Sequence, residues 1–206
     1  MVDVITSNNR YKYAPLLDQM HRDRKTVFVD RLKWDIPVVD GQFEIDQFDT
    51  NAAIYLVATD PKRQRHLGSI RLMPSTGSHL LGDVFPHLCE KGVPVGDDIW
   101  EVTRLCTAPA PDIDPRPIRG KLLMALCEFG LLYGITTFTC VTHVQMLSTL
   151  LAVGWECEPL GVPQPVAGDM VGALAIKISP STLQMLRQRM ASRVPVLQLS
   201  DVAEAA

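Results

Sequence analysis

The chain has 206 residues, 47% hydrophobic and 21% charged, which is enough to bury one substantial core; a single domain over residues 1–195 with a loose tail at 196–206 is expected. A formal net charge of −3 excludes a general nucleic-acid binder, which carries a strong basic excess on one face. No segment approaches the roughly 20 apolar residues of a membrane span, and the N-terminus Met1-Val-Asp-Val-Ile-Thr-Ser7 lacks the pattern of a signal peptide, so a soluble, cytoplasmic protein is expected.

Ser7, Asn8 and Asn9 offer N-caps ahead of a helix over residues 11–32, in which Leu16, Leu17, Met20, Val27 and Phe28 recur at helical spacing. Residues 34–49 have little periodicity and several acids, and read as a long ordered loop. Strands at 53–58 and 67–73 form a hairpin around Asp60-Pro61. A short helix near 83–88 leads to a third strand at 99–107. The proline-rich run from Ala108 to Pro117 then breaks the ladder and ends in Arg119-Gly120-Lys121, ahead of a helix at 122–133. A β-branched strand at 136–144, a helix at 146–153 stopped by Gly154, strands at 155–160 and 170–178, and a helix opened by Ser179-Pro180-Ser181 complete the order.

This order describes an α/β fold: a three-layer α/β/α sandwich around a mixed, mostly antiparallel sheet. It is similar to the N-acetyltransferase (acyl-CoA N-acyltransferase) fold. The five cysteines, Cys89, Cys106, Cys127, Cys140 and Cys157, are scattered among apolar neighbours with no CxxC pair, so they read as reduced core residues and not as a disulfide or metal framework.

The polar residues set among apolar segments carry the chemistry, because an unpaired buried charge costs several kcal/mol. Asp46 and Asp49, beside Glu44, can hold an ammonium or act as a base, and with no histidine near them no metal is expected. Arg71 lies mid-strand, where it meets solvent or pairs with a carboxylate of that acidic loop. Glu101 and Arg104 would point to opposite faces of their strand unless a bulge lies between them, and a bulge is expected there. Phe28 and Trp34 can close an aromatic pocket over a purine or a sulfonium. The basic turn of Arg116, Arg119, Gly120 and Lys121, placed at a helix start, suits a phosphopantetheine, a diphosphate or an acidic carrier protein.

Taken in order, Arg24, Phe28, Trp34, Asp46, Asp49, Arg71, Glu101 and Arg104 resemble the signature set of the acyl-homoserine lactone synthases, with a looser match through Gly154-Trp155 to about residue 178. The resemblance implies an acyltransferase that joins S-adenosylmethionine to an acyl thioester, closes a lactone and releases methylthioadenosine, a quorum-sensing signal being the product. It implies Glu101 as first candidate base and Asp46 as second, with Arg104 beside them at the catalytic centre. Arg24, Phe28, Trp34, Asp46, Asp49, Arg71 and Arg104 would receive S-adenosylmethionine, the two aromatic rings flanking its adenosine and sulfonium. Leu105, Thr142, Val144, Met146, Leu150 and Leu151 would wall the acyl chain. Leu105 departs from the family's frequent Phe, and Gln145-Met146-Leu147-Ser148 from its usual run, so the acyl group is left open.

No tightly bound cofactor is expected. The donor is acyl-CoA or an acyl carrier protein, and the basic turn suits either. Two alternatives stand beside this reading: an N-acyltransferase that uses acyl-CoA on another amine, and a catalytically silent pantetheine-binding module.

Overall fold

The structure, a computed structural model, describes residues 1–199, the side chain of Ser148 excepted. In chain order the elements are β1 (Val2–Ile5), α1 (Ala14–Arg24), β2 (Val38–Val39), β3 (Phe43–Glu44), β4 (Ile54–Thr59), β5 (His66–Pro74), α2 (Leu80–Asp83) and β6 (Ile99–Thr107). They continue with α3 (Pro115–Tyr133), β7 (Thr137–His143), α4 (Val144–Ala152), β8 (Cys157–Pro159), β9 (Gln164–Val166), β10 (Asp169–Lys177), α5 (Pro180–Arg189) and β11 (Leu197–Gln198).

The residues group into two compact units, and β5, β6 and α3 each contribute to both. The first contains residues 1–72, 104–126 and the chain from 194. In it β1 pairs antiparallel with β4 and parallel with β11, and β4 pairs antiparallel with β5. A core of Val2, Val4, Leu56, Ile70, Leu72 and Leu122 is fully buried. Helix α3 lies close over β5 at Gly68, where a Cβ would meet Ile118 Cγ2 at 2.8 Å and the Cys106 carbonyl oxygen at 2.9 Å.

The second unit contains residues 73–103 and 127–193. There β6 runs parallel to β7, β7 antiparallel to β10, and β8 and β9 antiparallel to β10. Phe129 of α3, Phe138 of β7 and Leu174 and Ile176 of β10 are buried. Strand pairing is thus mixed and mostly antiparallel, with helices against it. No helix among the described residues is long and apolar enough to cross a membrane.

Several boundaries differ from the sequence reading. The first helix is not one α-helix: a 3-10 turn (Arg10–Tyr13) precedes α1, and a π-helical turn (Lys25–Arg31) follows it, with Leu32 N–H donating to Val27 O at 3.0 Å. The acidic loop contains the β2–β3 hairpin, which puts Glu44 on a strand. The short helix lies at α2, with a 3-10 turn (Pro86–Leu88) after it.

Helix α3 starts at Pro115, seven residues before the position read from the sequence. Pro115 and Pro117, the last two prolines of the run that looked like a break, sit in its first turn, where the missing N–H groups would be unpaired anyway. Asp114 caps it, Oδ1 accepting from Arg116 N–H at 3.0 Å. Strands β1, β9 and β11 have too few residues for an alternating pattern to show. The tail read as loose from 196 is held through 198, since Val2 N–H donates to Val196 O at 2.9 Å and β11 pairs with β1. Its remainder, 200–206, lies outside the described residues.

Candidate active site

The end of α1 sets Arg24 inward, at 1% exposure. The wide π turn that follows buries Phe28, and Lys33, at φ +59°, reverses the chain so that Trp34 N–H donates to Phe28 O at 2.9 Å. The two rings stack, centroids 4.8 Å apart and planes 10° from parallel. They therefore make one aromatic platform, not the two jaws on either side of a ligand that the sequence suggested, because nothing fits between rings in contact. The Arg104 guanidinium lies 5.7 Å from the Phe28 ring centroid, where the ring face attracts it.

Around this platform three guanidiniums meet three carboxylates. Arg24 donates from Nε to Glu44 Oε2 at 2.5 Å and from both Nη atoms to Asp49 at 2.9 Å. Arg71 donates to both oxygens of Asp46, at 2.5 and 3.0 Å, and its Nη1 lies 3.0 Å from Asp49 Oδ1. Arg104 bridges Glu44 Oε1 (3.0 Å) and Asp46 Oδ2 (2.7 Å) through Nη2. Tyr55 OH donates to Asp49 Oδ1 at 2.8 Å and Asp46 N–H to Asp49 Oδ2 at 2.9 Å.

Every side chain of the six is at most 7% exposed. The formal charges cancel, which a buried cluster requires. One oxygen from each of Glu44, Asp46 and Asp49 lies within 4.8 Å of the other two, close enough to suggest a cation site. All six oxygens of these carboxylates already accept from a guanidinium, so a metal would have to displace three cations.

Burial alone would raise the Asp49 carboxyl, but Arg24, Arg71 and the Asp46 N–H outweigh it and hold the group well below the ordinary aspartate range. Burial likewise opposes the charge on Arg24, and Asp49 and Glu44 more than restore it, so that guanidinium stays protonated. Tyr55 is pushed above the usual phenol range, first by burial and then by the charge of Asp49.

Arg104 has the left-handed φ of +54°. Along β6 the alternation that buries Glu101 and Thr103 holds through Arg104 and slips after it, Cys106 being the next buried residue, so the irregularity lies at Arg104–Leu105 and not between Glu101 and Arg104, where a bulge was expected. Glu101 is fully buried, and its oxygens accept from the backbone N–H groups of Leu80 (2.8 Å) and Leu81 (2.7 Å), so its carboxylate caps the first turn of α2.

The other expected site residues are placed less tightly. Leu105, Thr142 and Leu150 are half-buried, while Val144, Met146 and Leu151 are 37%, 40% and 53% exposed, more open than walls of a core pocket would be. Arg119, Gly120 and Lys121 are not at a helix start: they lie inside α3, where the backbone amides are used by the helix, and Gly120 is buried. Arg116 is in the first turn but exposed and paired with Asp114 at 3.0 Å.

Sequence reasoning missed Glu44 and Tyr55 as members of the network. Tyr55 had a signal, since it sits directly across the β4–β5 pair from Arg71. Glu44 had only its place among other acids.

Known proteins are similar to this chain over most of its length. The family model described as autoinducer synthase matches residues 8–186. An acyl-homoserine-lactone synthase of Rhizobium etli is 33% identical over 174 residues, covering 82% of this chain and 81% of that protein. A solved CoA-dependent acyl-homoserine lactone synthase, in complex with SAM and isopentyl-CoA, superposes with a TM-score of 0.88 at 28% identity, covering 97% of this chain and 93% of that one. The fold extends to a putative N-acetyltransferase from Lactobacillus plantarum, at a TM-score of 0.55, 18% identity, and coverage of 86% of this chain and 99% of that one. The extent of the family match and the identity to these relatives lead to one assignment: the chain belongs to the autoinducer synthase family, the acyl-homoserine-lactone synthases.

Proposed function

We propose that this protein acylates the amine of S-adenosylmethionine from an acyl thioester and then closes the homoserine lactone. In the first step the amine nitrogen bonds to the thioester carbonyl carbon, the C–S bond breaks and the thiol leaves with a proton. In the second the substrate's carboxylate oxygen attacks its γ-carbon, and the sulfonium departs as neutral methylthioadenosine.

The observation that supports this most is the balanced cluster of Arg24, Arg71 and Arg104 with Glu44, Asp46 and Asp49 beside the Phe28–Trp34 platform. A guanidinium edge suits the methionine carboxylate, and an aromatic face suits adenine or a sulfonium. Arg24 and Arg71 hold the acidic loop, and the exposure of Arg104, the highest of the three at 7%, supports it as the contact to substrate.

Glu101 is the proposed base. Asp46 is bound to two guanidiniums and holds the network together, whereas Glu101 accepts from the backbone amides of Leu80 and Leu81. General-base catalysis by such a group contributes on the order of 10²–10⁴-fold. S-adenosylmethionine and the thioester act as substrates with no resident cofactor. The solved synthase with isopentyl-CoA favours acyl-CoA over a carrier protein as donor. Residues 1–195 act as one catalytic domain, in the cytoplasm.

Thiol release from a panel of acyl-CoA donors, followed with and without S-adenosylmethionine, tests the reading. Release that depends on S-adenosylmethionine supports it. Equal release with other primary amines would move the protein to a general N-acyltransferase, and none with any donor to a silent binding module.

A further inference from the structure

A second polar pocket lies in the first unit, apart from the network. It has a volume of about 250 Å³ and is lined by Gln19, Arg22 and Asp23 of α1, Arg65, His66 at the start of β5, and residues 108–110. That is below the range of about 300–1,000 Å³ that drug-sized ligands occupy, so it takes a small group.

His66 decides what kind. Its side chain is fully buried and its Nδ1 lies 2.6 Å from Asp23 Oδ2, which fixes the ring with Nδ1 toward the carboxylate. Its Nε2 is buried with no hydrogen-bond partner. A buried nitrogen left this way is unfavourable, a cost that a ligand bonding to it would remove. Two cations share the lining with His66. Arg22 is exposed, with its guanidinium 4.8 Å from the Phe43 ring centroid, and Arg65 is exposed and forked onto Asp112 at 2.6 and 2.8 Å. The one carboxylate of the lining, Asp23, is committed to His66.

We propose that this pocket binds a phosphate group. Guanidinium forks match phosphate oxygens in geometry, and His66 Nε2 can donate to an oxygen as an imidazolium or accept from a phosphate hydroxyl when neutral. On the reading above, that phosphate is carried by the acyl donor, since coenzyme A and carrier-bound pantetheine both present one; the free ion is the other source.

The five histidines make the test spectroscopic. Protein labelled at histidine Cε1 is titrated with inorganic phosphate, coenzyme A, dephospho-coenzyme A and phosphopantetheinyl carrier protein, with the His66 resonance assigned through His66→Gln. A saturable shift of His66 that weakens at least tenfold in the Arg22→Ala/Arg65→Ala double variant is expected. A response to coenzyme A but not to its dephospho form assigns the terminal monoester, a response to both assigns the diphosphate, a response to the carrier protein alone assigns its pantetheine phosphate, and a response to inorganic phosphate alone assigns the free ion. No shift of His66 with any probe at millimolar concentration, or unchanged affinity in the double variant, overturns the proposal. Thiol release measured on the same samples separates this failure from failure of the proposed reaction.

Discussion

Replacing Asp49 with Asn is the sharpest perturbation of the charge cluster, because it keeps the side chain's shape and removes one of three negative charges. Asp49 accepts from both Nη atoms of Arg24, from Tyr55 OH and from Asp46 N–H, and lies 3.0 Å from Arg71 Nη1. An Asn amide presents a donor where donors already converge, and the cluster is left with a net positive charge at sites no more than 7% exposed. Breaking a buried pair in this way costs about 3–5 kcal/mol. For a chain of this length each kcal/mol lowers Tm by about 2–4 °C, so a fall of about 6–20 °C is expected.

Arg24→Met removes the main partner, and the Arg24→Met/Asp49→Asn double variant restores the balance of two guanidiniums against two carboxylates. The double variant should therefore lose less than the sum of the single losses, with a coupling of about 1–3 kcal/mol. Urea unfolding of the parent, the singles and the double gives each term. A loss below about 0.5 kcal/mol in Asp49→Asn, or strict additivity in the double, would refute the view that these charges stabilise one another.

The remaining predictions concern pH, catalysis and packing. Asp49 is depressed in the fold, so its contribution is complete above the unfolded value of 3.8 and is lost as pH falls through the lower folded value. His21 is also depressed, by burial first and then by Arg24, so stability should begin to fall as pH drops below 6.5; urea midpoints across pH 2–8 should show both slopes, and His21→Gln should remove the upper one. Glu101→Gln should lower kcat at least 100-fold and lower stability by about 1–3 kcal/mol, because its amide nitrogen meets the Leu80 or Leu81 N–H; near-normal turnover would remove Glu101 from the base role. Trp34→Ala should raise KM for S-adenosylmethionine about 5–30-fold, the cost of about 1–2 kcal/mol for a lost ring face, and leave KM for the thioester unchanged. Gly68→Ala should destabilise by about 1–3 kcal/mol, because its Cβ would meet backbone at 2.9 Å, while Gly77→Ala, whose nearest contact is 3.9 Å away, stays within about 0.5 kcal/mol in thermal melts.

Long, strongly patterned segments were legible in the sequence. Strand β6 falls at the residues read for it from the sequence, while the slip in its alternation comes after Arg104, one step beyond the interval from Glu101 to Arg104 where a bulge was expected. The start of α3 was misplaced because the run of prolines reads as a break until Asp114 is seen as its cap. The π turn at Lys25–Arg31 has no sequence signal in an amphipathic pattern that runs through it. In the site, Arg24, Asp46, Asp49, Arg71 and Arg104 come together as the signature order suggested, whereas Glu44 joins them only because the β2–β3 hairpin turns it inward. That contact depends on pairing within a segment too short and too polar to show periodicity. The exposure of Val144, Met146 and Leu151 was likewise hidden, since an apolar residue on a helix has the same code whether it faces core or water.

The most direct measurement is mass spectrometry of purified protein incubated with S-adenosylmethionine and a panel of acyl-CoA and acyl-carrier-protein donors. Methylthioadenosine and one acyl-homoserine lactone appearing in equal amounts, with a single preferred donor, is the predicted result. Acylated S-adenosylmethionine that never closes, or neither product with any donor while the folded protein still binds S-adenosylmethionine, would contradict it.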